Sequence, residues 1–405
     1  MNHPKYGFQS GVTIAYGVTG SCIYDLRNAT AKIYRLDKEA TDLVRLITTK
    51  PSFTTTESCT KFVSELMANA ILVEKNGNSA LEGYIEGPKQ SFVAWIEVTE
   101  NCQLSCSYCY GSFGKKKKTT ISETCIDMLV EQLKINGFTV FRLIGGEPLI
   151  HKQTVQTLVS KLSSICESKI ELYTNGLLLT KEFLAFCKDY NVKLAIGIFG
   201  ANEIECSTVT GAKNVWKKHY NIINLVRASG VSYRISITRT GANSSASNEQ
   251  LASIYKFPVE RLRQDHVKSV GRAKNNTGLL QTSSKALTKE YFSRKFPSAL
   301  IRKNIVGGHP CYENKLCITS ALDVHPCIME RSVVYGNLLS TPLAEIVRAG
   351  APYMSASKDS VATCRDCEYR YACFDCRVER VLPDDFYSKS SNCGYNPHTG
   401  IWVDQ

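Results

Sequence analysis

The chain has 405 residues, 43% of them apolar and 21% charged, which is material for a sizeable core and excludes a disordered chain. Its formal net charge of +12 is unevenly spread. Residues 1–90 carry ten Lys/Arg against nine Asp/Glu, residues 256–303 carry twelve against three, and Lys115 to Lys118 form a second basic block. No apolar run approaches the roughly 20 residues of a membrane span, and Met1 to Lys5 open no secretory hydrophobic stretch. The expectation is a cytoplasmic chain with no membrane partner. In that reducing setting, seventeen cysteines in an odd, clustered arrangement suit metal binding better than a disulfide framework.

In chain order, predicted strands Val12–Tyr16 and Ser21–Asp25 flank the turn Gly17-Val18-Thr19-Gly20, and Ile33-Tyr34 suits a third strand. Leu43, Leu46 and Ile47 share one helical face; Phe62, Val63, Leu66 and Met67 share another. Ile71-Leu72-Val73 reads as a short wing strand. The outline is a winged helix over residues 1–78, with a break at Asn76-Gly77-Asn78-Ser79 and a linker over 79–91. A net charge of +1 over the first ninety residues, with no Lys or Arg between Phe62 and Val73, argues against nucleic acid as its partner.

From Phe92, strands alternate with amphipathic helices. The strands are Phe92–Val98, Thr139–Ile144, Ile170–Thr174, Lys193–Phe199 and Ser232–Thr238, with a sixth candidate after Tyr255. The helices are Ser122–Ile135, Thr154–Cys166, Lys181–Tyr190 and Val215–Ala228. This α/β alternation implies parallel strands with right-handed crossovers, as an open doubly wound sheet or a complete or partial barrel. Reactive groups in such folds gather at the carboxyl ends of the strands. Between Cys311 and Cys393 the periodicity fails, turns dominate, and a metal-dependent fold is expected.

Directly after the first of these strands comes Cys102-Gln103-Leu104-Ser105-Cys106-Ser107-Tyr108-Cys109. Three thiolates on one strand-to-helix loop suit either zinc with a fourth ligand or a [4Fe–4S] cluster with one iron left open. After the second strand the chain reads Gly145-Gly146-Glu147-Pro148, whose glycines expose backbone and whose carboxylate accepts from an ammonium group.

Together, over about residues 92–275, these motifs resemble the radical S-adenosylmethionine (radical SAM) enzymes. The resemblance implies a partial (βα)6 TIM-like barrel over residues 92–280. It implies that Cys102, Cys106 and Cys109 bind the cluster and that Tyr108 lies near the adenine. Gly145, Gly146, Glu147 and Pro148 would hold the methionine amine, and Thr174-Asn175-Gly176 matches the family's turn after the third strand. Gly197 stands where the family often has a serine facing the cofactor. The implied chemistry is reductive cleavage of S-adenosylmethionine to a 5′-deoxyadenosyl radical, fed by an external one-electron donor of flavodoxin or ferredoxin type.

The C-terminal array is Cys311-x5-Cys317-x9-Cys327, then Cys364-x2-Cys367-x5-Cys373-x2-Cys376-x16-Cys393. It resembles the SPASM extension, expected over 311–405 and joined through a basic bridging segment, 281–310. On that pattern Cys311, Cys317, Cys327 and Cys376 ligate one auxiliary [4Fe–4S] cluster, and Cys364, Cys367, Cys373 and Cys393 a second. Leu322 replaces the usual glycine and the last gap is shorter than the pattern, so Cys376 fits least well; a zinc ribbon is the alternative. Of the remaining cysteines, Cys22, Cys59, Cys125, Cys166 and Cys187 are expected as buried apolar thiols, with Cys206 in a loop beyond the fourth strand.

The front segment, with Gly20 to Leu26 in its hairpin, looks like the leader-recognition element of ribosomal-peptide maturases, which take a leader as an added strand. The function this implies is a peptide maturase that crosslinks a precursor peptide through carbon–carbon or carbon–sulfur bonds. Epimerisation, a maturase of a folded protein (the sulfatase-activating type) and a non-catalytic iron–sulfur or zinc scaffold are the alternatives. Retained turnover after deletion of residues 1–78 would favour the folded-protein substrate.

Overall fold

A computed structural model describes residues 5–50, 57–74, 92–117, 119–276, 287–306 and 308–403. The expected break at Asn76 to Ser79, the linker 79–91, Lys118 and part of the basic bridging segment lie outside the described residues. The chain forms two compact units that are not consecutive in sequence. The first combines residues 1–89, 285–313 and 355–405; the second combines 90–284 and 314–354.

In the first unit, β1 (Tyr6–Phe8) pairs with β5 (Leu72–Glu74), and β2 (Val12–Tyr16), β3 (Ser21–Asp25) and β4 (Lys32–Leu36) form an antiparallel sheet. Helices α1 (Lys38–Thr49) and α2 (Glu57–Ala68) follow β4, the first capped by Asp37, which accepts from the Ala40 amide. The sheet is buried on both faces, and every residue of β3 is buried. Ile23 points to a core with Val44, Ile47, Val63 and Leu66 of the helices. Ala15, Cys22 and Tyr24 point the other way, into a core with Tyr369, Cys373 and Tyr395 of the C-terminal segment. Polar bonds tie that second face down: the Tyr24 hydroxyl donates to the Glu368 carbonyl at 2.8 Å, and the Arg370 guanidinium donates to the carbonyls of Tyr16 and Cys367.

The second unit is built on six parallel strands: β6 (Phe92–Thr99), β7 (Phe138–Gly145), β8 (Lys169–Thr174), β9 (Lys193–Ile198), β10 (Tyr233–Arg239) and β11 (Leu262–His266). They pair in strict chain order, β6 to β11. An open doubly wound sheet would reverse its strand order part-way; this one never does. Right-handed crossovers that always step the same way put their helices on one face. Helices α3 (Glu123–Ile135), α4 (Lys152–Leu162), α5 (Lys181–Asp189), α6 (Glu203–Thr210), α7 (Val215–Ser229) and α8 (Asn248–Tyr255) connect the strands. Alternate strand residues such as Ala94, Ile96, Phe141, Leu143, Ile196 and Ile235 are buried in the core with these helices. The intervening residues carry polar and aromatic side chains: Arg142 and Arg234 flank Glu171 at 3.8 and 2.7 Å.

Residues the periodicity leaves as turns extend this sheet. Lys315–Ile318 pairs in parallel with β6, and Asp323–His325 and Gly336–Asn337 add antiparallel strands beyond it. A helix over Leu343–Met354 follows, despite Gly350 and Pro352 within it. Two cysteine expectations are corrected. Cys166 is exposed, in the turn after α4, because that helix ends at Leu162. Cys206 lies on α6, not in a loop, and is wholly buried with its Sγ 3.8 Å from the Gly200 carbonyl.

Candidate active site

The loop from Cys102 to Cys109 leaves the carboxyl end of β6 and docks on the end of α6, where the amides of Ser105 and Ser107 donate to Thr210 and Val209. Leu104, Phe113, Phe199 and Val215 pack around it, so the three cysteines sit against an apolar wall. Burial pushes the Cys102 thiol up to about 12. Burial, then the charges of Cys109 and Cys102, raise Cys106 further. Thiols so disposed hold their protons until a cation displaces them. Among the described residues, no three His, Cys, Asp or Glu side chains close around a single metal ion.

Two neighbouring segments hold this loop in place, and the first is the Gly145-Gly146-Glu147 turn after β7. The Gly146 and Glu147 amides donate to the Thr99 and Asn101 carbonyls at 2.7 and 2.8 Å, immediately before Cys102. A Cβ on Gly146 would come within 2.2 Å of the Asn101 carbonyl oxygen, and Gly145 has a φ of +139° with a Cβ position 2.3 Å from that of Thr99. Only glycine permits this approach of two backbones. Gly146→Ala should therefore destabilise the unit by about 3 kcal/mol, the upper range of overpacking, and displace the cysteine loop. Denaturant melts of the apoprotein and iron content after reconstitution would check both effects.

The second is Gly271-Arg272, which the sequence reading passed over. The Arg272 amide donates to the Cys109 carbonyl at 3.0 Å, its Nε to Cys106 at 2.8 Å and a terminal nitrogen to Phe113 at 2.7 Å. One side chain thus satisfies carbonyls at both ends of a loop that forms no regular structure. Its neighbour Gly271 lies against Cys109 and Tyr110 at a φ of +56°.

Glu147 is wholly buried and its carboxylate is already engaged. It accepts from the Leu149 amide at 3.0 Å, from the Thr174 hydroxyl at 2.7 Å and from the Asn175 amide at 2.7 Å. It therefore ties the ends of β7 and β8 together, and one of its roughly four acceptor positions remains. Burial raises it to about 7, against the lowering effect of those three donors. A carboxyl whose folded value lies above its unfolded one stabilises most below the unfolded value, and this contribution is lost as pH rises through 7. The loss between pH 4 and pH 8 should be about 3 kcal/mol in the apoprotein. Denaturant titrations at pH 5 and pH 8 should find wild type losing ground to Glu147→Gln at the higher pH.

Asn175 sits at the meeting point of these elements. Its Oδ1 accepts from Gln103 beside Cys102 and from the Leu177 amide, and its carbonyl accepts from His219 Nε2 at 2.7 Å. Among the described residues, its Nδ2 and the Ser107 hydroxyl are buried with no hydrogen-bond partner. Tyr108 is partly buried and bonded to Thr238 of β10, and Pro148 opens a short helical turn capped by Glu147. Beside Gly197 a Cβ would meet nothing nearer than 3.9 Å, so the fourth strand leaves room at its end.

The C-terminal cysteines divide between the units. Cys364, Cys367, Cys373 and Cys393 all belong to the first and line one cavity, together with Lys358, Arg370 and Lys389. Cys311 and Cys376 are also in the first unit, the Cys311 thiol lying 3.6 Å from the Asp375 carbonyl. Cys317 and Cys327 are in the second, where burial and then Glu97, with a smaller contribution from Cys327, raise Cys317.

Residues 96–243 match the radical SAM superfamily, and the chain carries a radical SAM domain. Among curated relatives, it is 26% identical over 149 residues to the antilisterial bacteriocin subtilosin biosynthesis protein AlbA of Bacillus subtilis (strain 168), covering 36% of this chain and 32% of AlbA. It is 24% identical over 179 residues to the sporulation killing factor maturation protein SkfB of the same organism, covering 44% and 43%. The chain thus spans less than half the length of these relatives. Among solved structures, Streptococcus suis SuiB bound to precursor peptide SuiA matches over 96% of this chain and 99% of its own, at a TM-score of 0.57 and 15% identity. Native anSMEcpe with bound AdoMet matches over 76% and 94%, at 0.53 and 15%. At such identities the likeness is one of fold.

A radical SAM domain takes a [4Fe–4S] cluster and S-adenosylmethionine, and the residues present fit both. Cys102, Cys106 and Cys109 share one loop packed against an apolar cluster. The unpartnered Asn175 amide suits a carboxylate, and the Gly145-Gly146-Glu147 turn suits an ammonium group.

Proposed function

We propose that the chain is a radical SAM peptide maturase, one that installs a carbon–carbon or carbon–sulfur crosslink within a ribosomally made precursor peptide. The observation that carries this reading is the convergence of the Cys102–Cys109 loop, the Gly145-Gly146-Glu147 turn and Asn175 at the carboxyl ends of three adjacent parallel strands. The likeness of fold to SuiB, solved with its precursor peptide, and the relation to the maturation proteins AlbA and SkfB support peptide as the substrate class.

In this reading residues 92–280 are a partial (βα)6 barrel, residues 1–78 a winged-helix element for the leader, and residues 311–405 a SPASM extension. Cys102, Cys106 and Cys109 would hold the SAM-binding cluster, and Cys364, Cys367, Cys373 and Cys393 an auxiliary one. Bound there, cluster and cofactor supply one-electron cleavage chemistry that yields a 5′-deoxyadenosyl radical. The chain's own residues do the rest. Glu147 would hold the ammonium while bracing Asn175, Tyr108 would lie near the adenine, and Gly271-Arg272 keep the cysteine loop in register. Phe113, Phe199 and Leu104 exclude water. The partner is a leader-bearing precursor peptide, and electrons come from a flavodoxin- or ferredoxin-type donor.

Co-expression with a candidate precursor followed by mass spectrometry tests the proposal. Loss of two hydrogens per crosslink is the expected result, with 5′-deoxyadenosine formed in reductant-driven assays. An unmodified peptide mass with no deoxyadenosine would overturn it. Reconstitution should give about eight irons per chain for these two clusters, rising to about twelve if all eight C-terminal cysteines of the SPASM pattern ligate iron; zinc in the C-terminal array would reduce the count to about four.

A further inference from the structure

Lys358, which lines the four-cysteine cavity, belongs to a buried ion cluster centred on Asp375. Asp375 receives three partners: Lys358 Nζ at 2.5 Å, His309 Nε2 at 2.7 Å and Arg377 at 3.2 Å. All four residues are buried, Lys358 at 2% exposure. Lys358 and Arg377 thus set two cationic side chains against the one carboxylate of Asp375 in the protein interior. A buried charge without a counter-ion is strongly unfavourable. Lys389, which donates to the Tyr395 carbonyl, adds a further cation to the same cavity.

The ammonium of Lys358 is where this excess is directed. Its Nζ is buried and engages Asp375 at 2.5 Å, with no further partner among the described residues, although it carries three donors. Its side chain lines the cavity that Cys364, Cys367, Cys373 and Cys393 also line. A four-iron cluster held by four thiolates is anionic in both ordinary oxidation states, and hydrogen bonds and charges near its sulfurs set its potential.

We infer that Lys358 is the counter-cation of the cluster in this cavity, donating to its sulfur atoms and holding its potential up. The inference rests on the proposed reading of the cavity as an iron–sulfur site. One-electron reduction adds a negative charge, which a fixed neighbouring cation stabilises; the electron comes from the donor or, in a titration, from dithionite. Neutralising the lysine should therefore make reduction harder.

The test is an EPR-monitored redox titration of the reconstituted full chain as wild type, Lys358→Met and Lys358→Arg, with iron counted in each. Lys358→Met should keep its iron, and one couple should become more negative by at least 59 mV, a tenfold change in a one-electron equilibrium constant. Lys358→Arg should restore most of the shift. Loss of about four irons from Lys358→Met alone, with the apoprotein Tm unchanged, also supports direct contact. Wild-type potentials in Lys358→Met would overturn the inference, as would equal iron loss in both variants with a lowered apoprotein Tm, which marks a merely structural lysine. Failure of the underlying reading has a separate signature: Cys364→Ala/Cys367→Ala in the otherwise wild-type chain would leave the iron count unchanged.

Discussion

Replacement of Cys102, Cys106 and Cys109 together by alanine should remove about four irons per chain and reduce 5′-deoxyadenosine release to background. The C-terminal iron should stay. The three thiols belong to a loop anchored by backbone, through Thr99 and Asn101 on one side and Arg272 on the other. Alanine at these positions removes ligands and keeps those anchors. The apoprotein should therefore melt within a few degrees of wild type, which separates loss of the cluster from loss of the fold. Iron and sulfide analysis, a melt and a deoxyadenosine assay on one preparation would check all three expectations. Retention of full iron would mean that the loop is not a cluster site.

Deletion of residues 1–74 should do more than remove the proposed leader-binding element. It should also cost the iron held by Cys364, Cys367, Cys373 and Cys393. The reason is the two-faced sheet: Ala15, Cys22 and Tyr24 share a core with Tyr369, Cys373 and Tyr395. Removing that sheet leaves the Tyr24–Glu368 and Arg370–Tyr16 bonds unmade and bares the aromatic residues beside the cavity. Tyr24→Ala is the milder probe. It should destabilise the unit by about 4 kcal/mol, as large aromatic truncations in cores do, and lower iron retention in proportion. Iron counts on the deletion and on Tyr24→Ala would decide the matter. The consequence for experiment is direct: lost turnover in the deletion variant does not by itself identify a leader-dependent enzyme.

Much of the second unit was legible in the sequence because its physics is local. Strands β6 to β10 are apolar runs bounded by turns, and the helices between them show a 3.6-residue period. The cysteine loop was legible from spacing alone. Arg272 was not, since its role is made entirely of carbonyl contacts to residues 159 or more positions away. The double burial of β3 was hidden for a related reason. Ser21-Cys22-Ile23-Tyr24-Asp25 mixes polar and apolar side chains, and only the arrival of the distant Tyr369 and Tyr395 buries its second face. The helix over Leu343–Met354 was masked by Gly350 and Pro352, yet tertiary contact outweighs their low propensity, burying Leu343 and Ile346 in the main core. Glu147 was legible as a residue of the site but not as a brace, because the donors that fill it come from the end of β8.

The short strand Lys315–Ile318 has a consequence for handling the protein. It pairs with β6 along Val93, Ala94, Trp95 and Ile96, and β6 has β7 on its other side. Without that partner, β6 would present a row of unsatisfied amides and carbonyls among aromatic and β-branched side chains, the template on which chains associate edge to edge. A fragment ending near residue 310 would keep every residue of the radical SAM match and still be sticky. Light scattering should find it aggregating at concentrations where the full chain remains dispersed, so the smallest tractable form of the parallel sheet reaches at least to Met354.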